Sequence, residues 1–192
     1  MFMNESLVSY GQHRGINDLF LVHTSKLHLL PRLLLLPKLH GKNIARGGQV
    51  AQSSVGWSGI PERVIDGNRD STYKQRSCSH TKRELKPWLR LDLLKMFKVK
   101  TVTITNRGDC CSDRLNGAEI RIGNSLIDNG NTNPICTVIK SITGGRTETF
   151  ECYEMEGRYI NIVIPDRMEY LTLSEVEVEG IEVSTDDDCK LT

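Results

Sequence analysis

The chain has 192 residues, of which 38% are hydrophobic and 26% are charged, and its formal net charge is +1. A net charge so close to zero argues against a nucleic-acid-binding surface and against a polybasic membrane anchor. No apolar run approaches the roughly 20 residues that a membrane-spanning helix needs, so we expect no membrane insertion.

Residues 1–42 are predicted to be a poorly ordered N-terminal segment. Leu27–His40 is rich in leucine, but proline–basic pairs at positions 31–32 and 37–38 interrupt it. A secretory signal needs about 7–15 uninterrupted apolar residues followed by a small-residue cleavage site. We therefore interpret this segment as a degenerate or wrongly assigned leader with no fixed fold.

Residues 43–183 are predicted to form one all-β domain. Valine, isoleucine and threonine recur in short runs of alternating apolar and polar residues, which is the period of a half-buried strand. Such runs at this spacing favour an antiparallel β-sandwich, and residues 184–192 follow it as a mobile acidic tail. The predicted strands are Gln49–Ser54, Pro87–Leu94, Val99–Thr105, Ala118–Ile122, Cys136–Ile142, Thr147–Cys152, Tyr159–Pro165 and Leu171–Val183.

Two loops near the start of this domain have compositions suited to binding. In the loop Val55–Arg63, Trp57 could stack on a ligand or pack under the loop, and we favour packing. The turn Asp66–Asp70 is rich in side-chain and backbone oxygens, which are the ligands that calcium prefers. A solvated acidic turn is the alternative for that stretch, and composition alone favours it.

The stretch Val102–Arg114 has the composition of a binding site at the end of a strand. Arginine offers five donors in a planar fork that can span two neighbouring oxygens. Adjacent cysteines could close a strained disulfide that acts as a rigid apolar patch, or they could stay reduced, and spacing does not decide between the two. Within eight residues the loop carries Arg107, Asp109, Cys110, Cys111 and Arg114.

The six cysteines suggest disulfides if the chain is not cytosolic, and six cysteines allow 15 pairings. No C-x-x-C pair is present, which argues against a structural zinc site. An enzyme would need His80 to activate a thiol nucleophile. No third group to orient that pair is evident, so we expect no catalytic residues.

The spacing of four residues resembles the sugar-binding signature of the F-type lectins, or fucolectins. His80 is followed after 26 residues by Arg107-Gly108-Asp109, and Arg114 follows after four more. The resemblance covers Asn43–Val183 and implies the jelly roll of the discoidin-like galactose-binding fold. Further matching segments are Ile65–Ser71, Ser77–His80, Pro87–Leu94, Thr101–Cys111, Asn116–Leu126 and Glu169–Gly180.

The resemblance implies a role for each residue of the signature. His80, Arg107 and Arg114 would donate hydrogen bonds to the oxygens of one sugar. A disulfide between Cys110 and Cys111 would supply an apolar wall. Asp109 would support the site by pairing with a guanidinium, so that the arginines are aimed before the sugar arrives.

The resemblance also implies a calcium site and the fate of the other cysteines. The ion would be held by the side chains of Asp66, Ser77 and Glu175 and by backbone oxygens of Arg63, Asn68 and Ser174. Cys136 would pair with Cys152. A third family disulfide would join Cys78 to the position that Ser174 occupies here, so we predict that Cys78 is a buried free thiol and Cys189 a free tail thiol.

The chain is therefore expected to be a secreted, extracellular lectin that contains calcium and binds terminal α-L-fucose on glycans. Innate immune recognition or agglutination would be its role, and family analogy implies a homo-oligomer, specifically a trimer. The alternative is an adhesion module that acts through the tripeptide Arg107-Gly108-Asp109. That alternative needs the tripeptide on a protruding, flexible loop.

Overall fold

The structure, a computed structural model, describes residues 41–184 of the chain. These residues contain ten strands and five short 3₁₀ turns, joined by loops. The predictions for the leader and the acidic tail, including Cys189, fall almost entirely outside these residues. Over the described range no helix has the length and apolar character needed to cross a membrane. The strands are β1 (Gln49–Gln52), β2 (Ser79–His80), β3 (Glu84–Leu85), β4 (Trp88–Thr105), β5 (Glu119–Gly123), β6 (Ile135–Val138), β7 (Thr147–Val163), β8 (Met168–Glu169), β9 (Thr172–Leu173) and β10 (Glu175–Glu182).

The main sheet is built around the two long strands β4 and β7. Its order is β1-β4-β7-β5-β6, and β10 also pairs with β4. β1 pairs with residues 89–92 of β4, and β10 pairs with residues 97–105 of β4. β4 therefore has two antiparallel partners, one after the other along its length. Two antiparallel ribbons, β2–β9 and β3–β8, complete the fold. The predicted all-β, antiparallel fold class is confirmed.

Each long strand replaces two strands that the sequence predicts. Pro87–Leu94 and Val99–Thr105 merge into β4, because its pairing with β7 resumes after a register shift between Asp92 and Phe97. Leu94 lies in this bulge with a φ of 67°. β7 has a similar bulge at Tyr153 and Glu154, where φ is 50° and 59°. A bulge absorbs extra residues without ending the hydrogen-bonded ladder, so the break in alternation did not end the strand.

Alternation along the strands separates a buried face from an outer face. Val102 and Ile104 are fully buried, whereas Thr103 between them faces outward and its hydroxyl lies 2.9 Å from that of Thr149 on β7. Each large apolar side chain that is buried contributes roughly 1.5–3 kcal/mol. Among the fully buried large side chains are Leu89, Leu91, Ile104, Ile120, Ile122, Ile160, Ile162 and Leu173.

The short ribbon β2–β9 fixes the backbone position of His80 and Thr81. His80 on β2 is paired with Thr172 on β9, and the amide of Thr81 donates to the carbonyl of Leu171 at 3.0 Å. The backbone at His80 and Thr81 is thereby held by pairing with β9 and the residue before it. A disulfide between Cys136 and Cys152 ties β6 to β7.

Candidate functional site

Four of the predicted sugar-site residues surround one open cavity of about 250 Å³. The cavity is built from five separate parts of the chain, which the fold brings together. Cys111 does not line it directly, and three aromatic residues do. The lining residues are Trp57, Tyr73, His80, Arg107, Cys110, Arg114 and Tyr170.

Arg107 follows the end of β4 and is fixed by two neighbours. Its Nε donates to Oδ1 of Asp109 at 2.7 Å, and its Nη2 lies 3.4 Å from Oδ2. Its guanidinium carbon lies 4.6 Å from the centroid of the Tyr73 ring, a cation–π arrangement. The Arg107 guanidinium holds the pKa of Asp109 below its usual value. Nη1 makes no hydrogen bond to residues 41–184 and can therefore serve a ligand.

Arg114 is held by the same two kinds of neighbour. It lies in the 3₁₀ turn Ser112–Leu115, with its guanidinium carbon 4.5 Å from the centroid of the Tyr170 ring. Its Nε is 3.6 Å from Oε1 of Glu169, the last residue of β8. Each arginine therefore has a carboxylate beside it and a tyrosine ring against its face.

His80 is 6% exposed, and its hydrogen bonding differs from the sequence prediction. Nδ1 lies 2.6 Å from the carbonyl oxygen of Thr81, which can only accept, so Nδ1 carries the proton. Burial is the main cause that lowers the pKa of His80, and Arg114 and Arg107 lower it further. The ring is thus neutral, and its Nε2 is an acceptor. The neutral ring therefore offers an acceptor where the sequence predicts a third donor, and the pH dependence of sugar binding distinguishes the two assignments.

The adjacent cysteines form a disulfide, and Cys110 is the half that faces the cavity. Cys111 adopts a left-handed backbone with φ 60° immediately before the turn that carries Arg114. Cys110 therefore supplies an apolar part of the cavity wall, and it lies between the two arginines in sequence. Its sulfur is only a weak acceptor, so it competes little with the sugar for the arginine donors.

Trp57 lies at the mouth of the cavity, and the prediction that it packs under its loop is wrong. The indole is 63% exposed, 4.8 Å from the His80 ring and 5.3 Å from the Tyr170 ring between centroids. The amide of Gly59 donates to the carbonyl of Gly56 at 2.8 Å, and the two residues between them have φ of 48° and 60°. Positive φ angles at both central residues are the signature of a type I′ turn, and Trp57 occupies the first of these positions.

The Arg107-Gly108-Asp109 tripeptide does not protrude. Its two charged side chains pair with each other and are 12% and 27% exposed. The amide of Gly108 donates to the carbonyl of Ser71 at 2.8 Å, and a Cβ at residue 108 would lie 2.5 Å from Oγ of Ser71. A receptor could not reach both charges in this packed loop, so the adhesion alternative has no support.

A second polar cluster lies where β10 begins, at Glu175. This carboxylate is 1% exposed, and burial raises its pKa to about 8. Oε1 accepts from the amide of Gly67 at 3.0 Å, whereas Oε2 is buried with no hydrogen-bond partner among the described residues. A buried, unpaired carboxylate oxygen is costly unless a cation compensates it. The donor set around Glu175 therefore fits a hard cation.

Three of the other predicted calcium ligands, Asp66, Asn68 and Ser77, lie in the loop of residues 66–77 that precedes β2. Oδ1 of Asp66 accepts from the amide of Asn68 at 2.7 Å, and the buried Ser77 hydroxyl donates to the carbonyl of Thr72 at 3.0 Å. Nη1 of Arg63 donates to the carbonyl of Cys78 at 3.1 Å. Residues 41–184 contain no cluster of three or more His, Cys, Asp or Glu side chains placed to hold a metal. The predicted set has only two carboxylates, and its other members are hydroxyl and backbone oxygens.

Cys78 lies beside this loop and is fully buried. It forms no disulfide with any residue of the described range. Its Sγ is 3.2 Å from Oγ of Ser174.

Three contributors to the cavity escaped the sequence analysis: Tyr73, Glu169 and Tyr170. Glu169 and Tyr170 lie within the matching segment Glu169–Gly180, which was the available signal. Tyr73 lies in an irregular stretch between the acidic turn and β2, where no period marks an inward side chain.

The antiparallel fold, with two braced arginines, a histidine acceptor and aromatic walls around one loop cavity, defines a domain of the lectin class. Residues 63–162 match the family described as NedA-like, galactose-binding domain. The chain belongs to the fucolectin family, since it is 47% identical over 146 residues to Fucolectin-5 of Anguilla japonica, covering 73% of this chain and 77% of that protein.

Two further relatives are longer than the matched region. The chain is 47% identical over 154 residues to the Pentraxin fusion protein of Xenopus laevis, with 76% of this chain but 37% of that protein covered. The crystal structure of a fucolectin from striped bass serum (Morone saxatilis) superimposes with a TM-score of 0.74 at 51% identity. That match covers 75% of this chain and 49% of the bass chain. The chain therefore spans half or less of the length of these two relatives.

Proposed function

We propose that this domain binds terminal α-L-fucose on glycans through the cavity between His80, Arg107 and Arg114. The proposal rests on one observation: two braced guanidinium groups and a neutral imidazole acceptor face one small cavity that also has an apolar sulfur wall. A deoxyhexose is complementary to these groups, because it has neighbouring hydroxyls on one edge for the polar side chains and a methyl group on another edge for the apolar wall.

The protonation states assign the direction of each hydrogen bond. The arginines can only donate, so they serve the ring oxygen or hydroxyl lone pairs of the sugar. Nε2 of His80 accepts a hydroxyl proton. A hydroxyl that donates to His80 and accepts from an arginine satisfies both of its capacities, and an ether or methyl group at that position would not.

A single site of this kind is weak. Hydrogen bonds to charged groups contribute about 1.5–3 kcal/mol each, and the cost of association offsets much of that sum. The expected dissociation constant is of the order of 10⁻⁴ M. Useful avidity then needs several sites on one homo-oligomer, which would also agglutinate glycan-bearing cells in innate defence. The two disulfides support secretion, because such bonds persist in oxidising compartments.

Calcium is part of this proposal as a structural ion. The side chains of Asp66, Ser77 and Glu175, with backbone oxygens of Arg63, Asn68 and Ser174, would hold it. Bound calcium would supply the positive charge that the buried Oε2 of Glu175 lacks. The loop from Asp66 to Ser77 would then be braced against β10, and that loop also supports the sugar cavity through Ser71 and Tyr73.

Calorimetric titration with methyl α-L-fucoside, D-galactose and D-glucose tests the sugar assignment. We expect preference for the fucoside, and at least a ten-fold loss of its affinity in Arg107→Lys, because a single ammonium cannot keep the two-point pair with Asp109 and also donate to the sugar as Nη1 does. Arg158→Lys is the matched control. Arg158 also makes a two-point pair, with Asp92 at 2.7 and 2.8 Å, and stacks on Tyr159 at 5.2 Å, but it is not among the residues that line the cavity. Full fucoside binding by Arg107→Lys would refute the assignment.

A further inference from the structure

The loop that displays Trp57 carries more exposed apolar side chains than the sugar cavity uses. Val55 and Ile60 are each 45% exposed, and neither is among the residues that line the cavity. Single exposed apolar residues are ordinary on a protein surface. Three large ones within the six residues Val55–Ile60 form the kind of surface that marks an interaction site.

Main-chain contacts hold this loop in place, so its apolar side chains are not needed to fold it. The amide of Gly56 donates to the carbonyl of His80 at 2.8 Å, and the amide of His80 donates to the carbonyl of Gly59 at 3.0 Å. At Trp57 the φ angle is 48°, a conformation that bulky L residues rarely adopt and that costs free energy. Stability therefore does not explain why an exposed tryptophan occupies this position.

Exposed basic residues adjoin the same loop in two segments of the chain. One segment contacts it through Tyr73, whose hydroxyl donates to the carbonyl of Trp57. The other contacts it through Lys82, whose amide donates to Oγ of Ser54 at 2.9 Å. The exposed members of these two segments form the basic rim: Lys74, Arg76, Lys82 and Arg83.

The charge of the basic rim is not neutralised by neighbouring side chains. None of its four members forms an ion pair with another residue of the described range. Residues 55–63, 73–76 and 80–83 contain five basic residues and one acidic residue, Glu62. The net charge of the whole chain is only +1, and four glutamates lie on β10. Positive charge is therefore concentrated around the apolar loop.

We propose that the basic rim and the side chains of Val55, Trp57 and Ile60 bind the surface of a lipid bilayer that contains anionic phospholipid. The apolar side chains would leave water at the boundary between headgroups and acyl chains, and the basic side chains would pair with the headgroups. A polyanionic carbohydrate would match the charges but would give Val55 and Ile60 no apolar contact, so a bilayer fits this surface better. Because Trp57 also lines the sugar cavity, the cavity would open toward the bilayer and toward glycans attached to it.

Co-sedimentation of the whole chain with vesicles tests this proposal. The wild type should sediment with vesicles of phosphatidylcholine mixed with phosphatidylserine but not with phosphatidylcholine alone, and added salt should weaken the binding. Lys82→Gln combined with Arg83→Gln should lower the vesicle affinity about 25-fold, since each basic residue near an anionic surface contributes about five-fold. Lys95→Gln combined with Lys98→Gln is the matched control. These two lysines lie on β4, outside the rim segments, and both pair with glutamates, so the control should keep the wild-type affinity.

Trp57→Gly tests the apolar part of the surface. It should lower the affinity for the mixed vesicles about ten-fold, because the indole no longer leaves water on binding. Tyr153→Gly is the matched control, since Tyr153 is 87% exposed at a φ of 50° on the bulge of β7. Glycine adopts a positive φ readily, so neither variant should lose Tm. Full vesicle binding by Trp57→Gly, with binding lost on removal of Lys82 and Arg83, would identify a site for polyanions alone and overturn the inference.

Calorimetry with methyl α-L-fucoside separates this inference from the proposed function, since the vesicles carry no fucose. The variant that lacks Lys82 and Arg83 should bind the fucoside as the wild type does. Its loss of fucoside binding at an unchanged Tm would overturn the inference by assigning the two residues to the sugar site. A wild type that binds the fucoside but does not prefer anionic vesicles would overturn the inference alone. A wild type that binds anionic vesicles but not the fucoside would reject only the proposed function.

Discussion

Sγ of Cys78 lies 3.2 Å from Oγ of Ser174, in a buried contact between residues 96 positions apart. Cys78 immediately precedes β2, and Ser174 connects β9 to β10. The contact therefore joins the strand that carries His80 to the segment that leads into Glu175. The distance is short enough that a second sulfur at residue 174 would reach the first.

Ser174→Cys is predicted to form a disulfide with Cys78 and to stabilise the domain. Closing a long loop removes conformational freedom from the unfolded chain and contributes about 2–4 kcal/mol. Non-reducing peptide mapping should recover the linked peptides, and Tm should fall to near the wild-type value after reduction. Ser174→Ala is the control for loss of the native hydroxyl contact. Two unlinked thiols in the oxidised variant would contradict the prediction.

Sugar affinity is predicted to be constant from pH 8 to about 6.5 and to decline only at more acidic pH. The pKa of His80 is lowered from its ordinary value, and the neutral form is the acceptor, so protonation removes binding below that lowered pKa. The hydrogen bond with Arg107 lowers the pKa of Asp109, so protonation of that carboxylate does not account for a decline in this range. Calorimetry of methyl α-L-fucoside between pH 5 and 8 measures this profile. An affinity that rises on acidification would mean that the imidazolium donates instead.

The lowered pKa of His80 also predicts how the stability of the domain depends on pH. Between the lowered pKa and 6.5 the unfolded chain binds more protons at His80 than the folded chain does, so stability rises with pH there and levels off above 6.5. His80 is the only histidine among residues 41–184. In His80→Gln the acid limb of the Tm profile should therefore be shallower over this window.

Glu175→Gln is predicted to abolish the response of Tm to calcium. In the wild type, millimolar calcium should raise Tm and chelator should lower it, because a ligand bound only to the folded state stabilises that state. Chelator should reduce sugar affinity less than it reduces Tm, since the ion would not touch the sugar. In chelator the variant should melt near the wild-type temperature, because a pKa of about 8 leaves most of the Glu175 carboxyl protonated near neutral pH, and the amide is likewise neutral.

Glu177→Gln is the control for that experiment. Glu177 lies two residues further along β10 and pairs with Arg69, where Nη2 and Oε2 are 2.6 Å apart. This variant should keep its calcium response. A wild-type melting curve that does not change between calcium and chelator would reject the ion site.

The sequence predicts the elements that depend on local pattern and on spacing. Alternation identifies the strand Val99–Thr105, and the spacing from His80 to Arg114 identifies residues that the fold brings to one cavity. The merging of strands could not be predicted, because a bulge such as that at Leu94 is defined by pairing with a distant partner. The protonated nitrogen of His80 likewise depends on the position of one carbonyl. Trp57 was misjudged because its exposure follows from a left-handed turn that a tryptophan would not ordinarily adopt.

The turn Gly56–Gly59 has an evolutionary consequence. Because it closes its own hydrogen bond and meets His80 through main-chain atoms, the side chain at residue 57 can change without displacing His80. The side chain at residue 57 is therefore free to vary among descendants of this chain, whereas residue 59 must stay glycine, because a Cβ there would lie 2.5 Å from Cβ of His80.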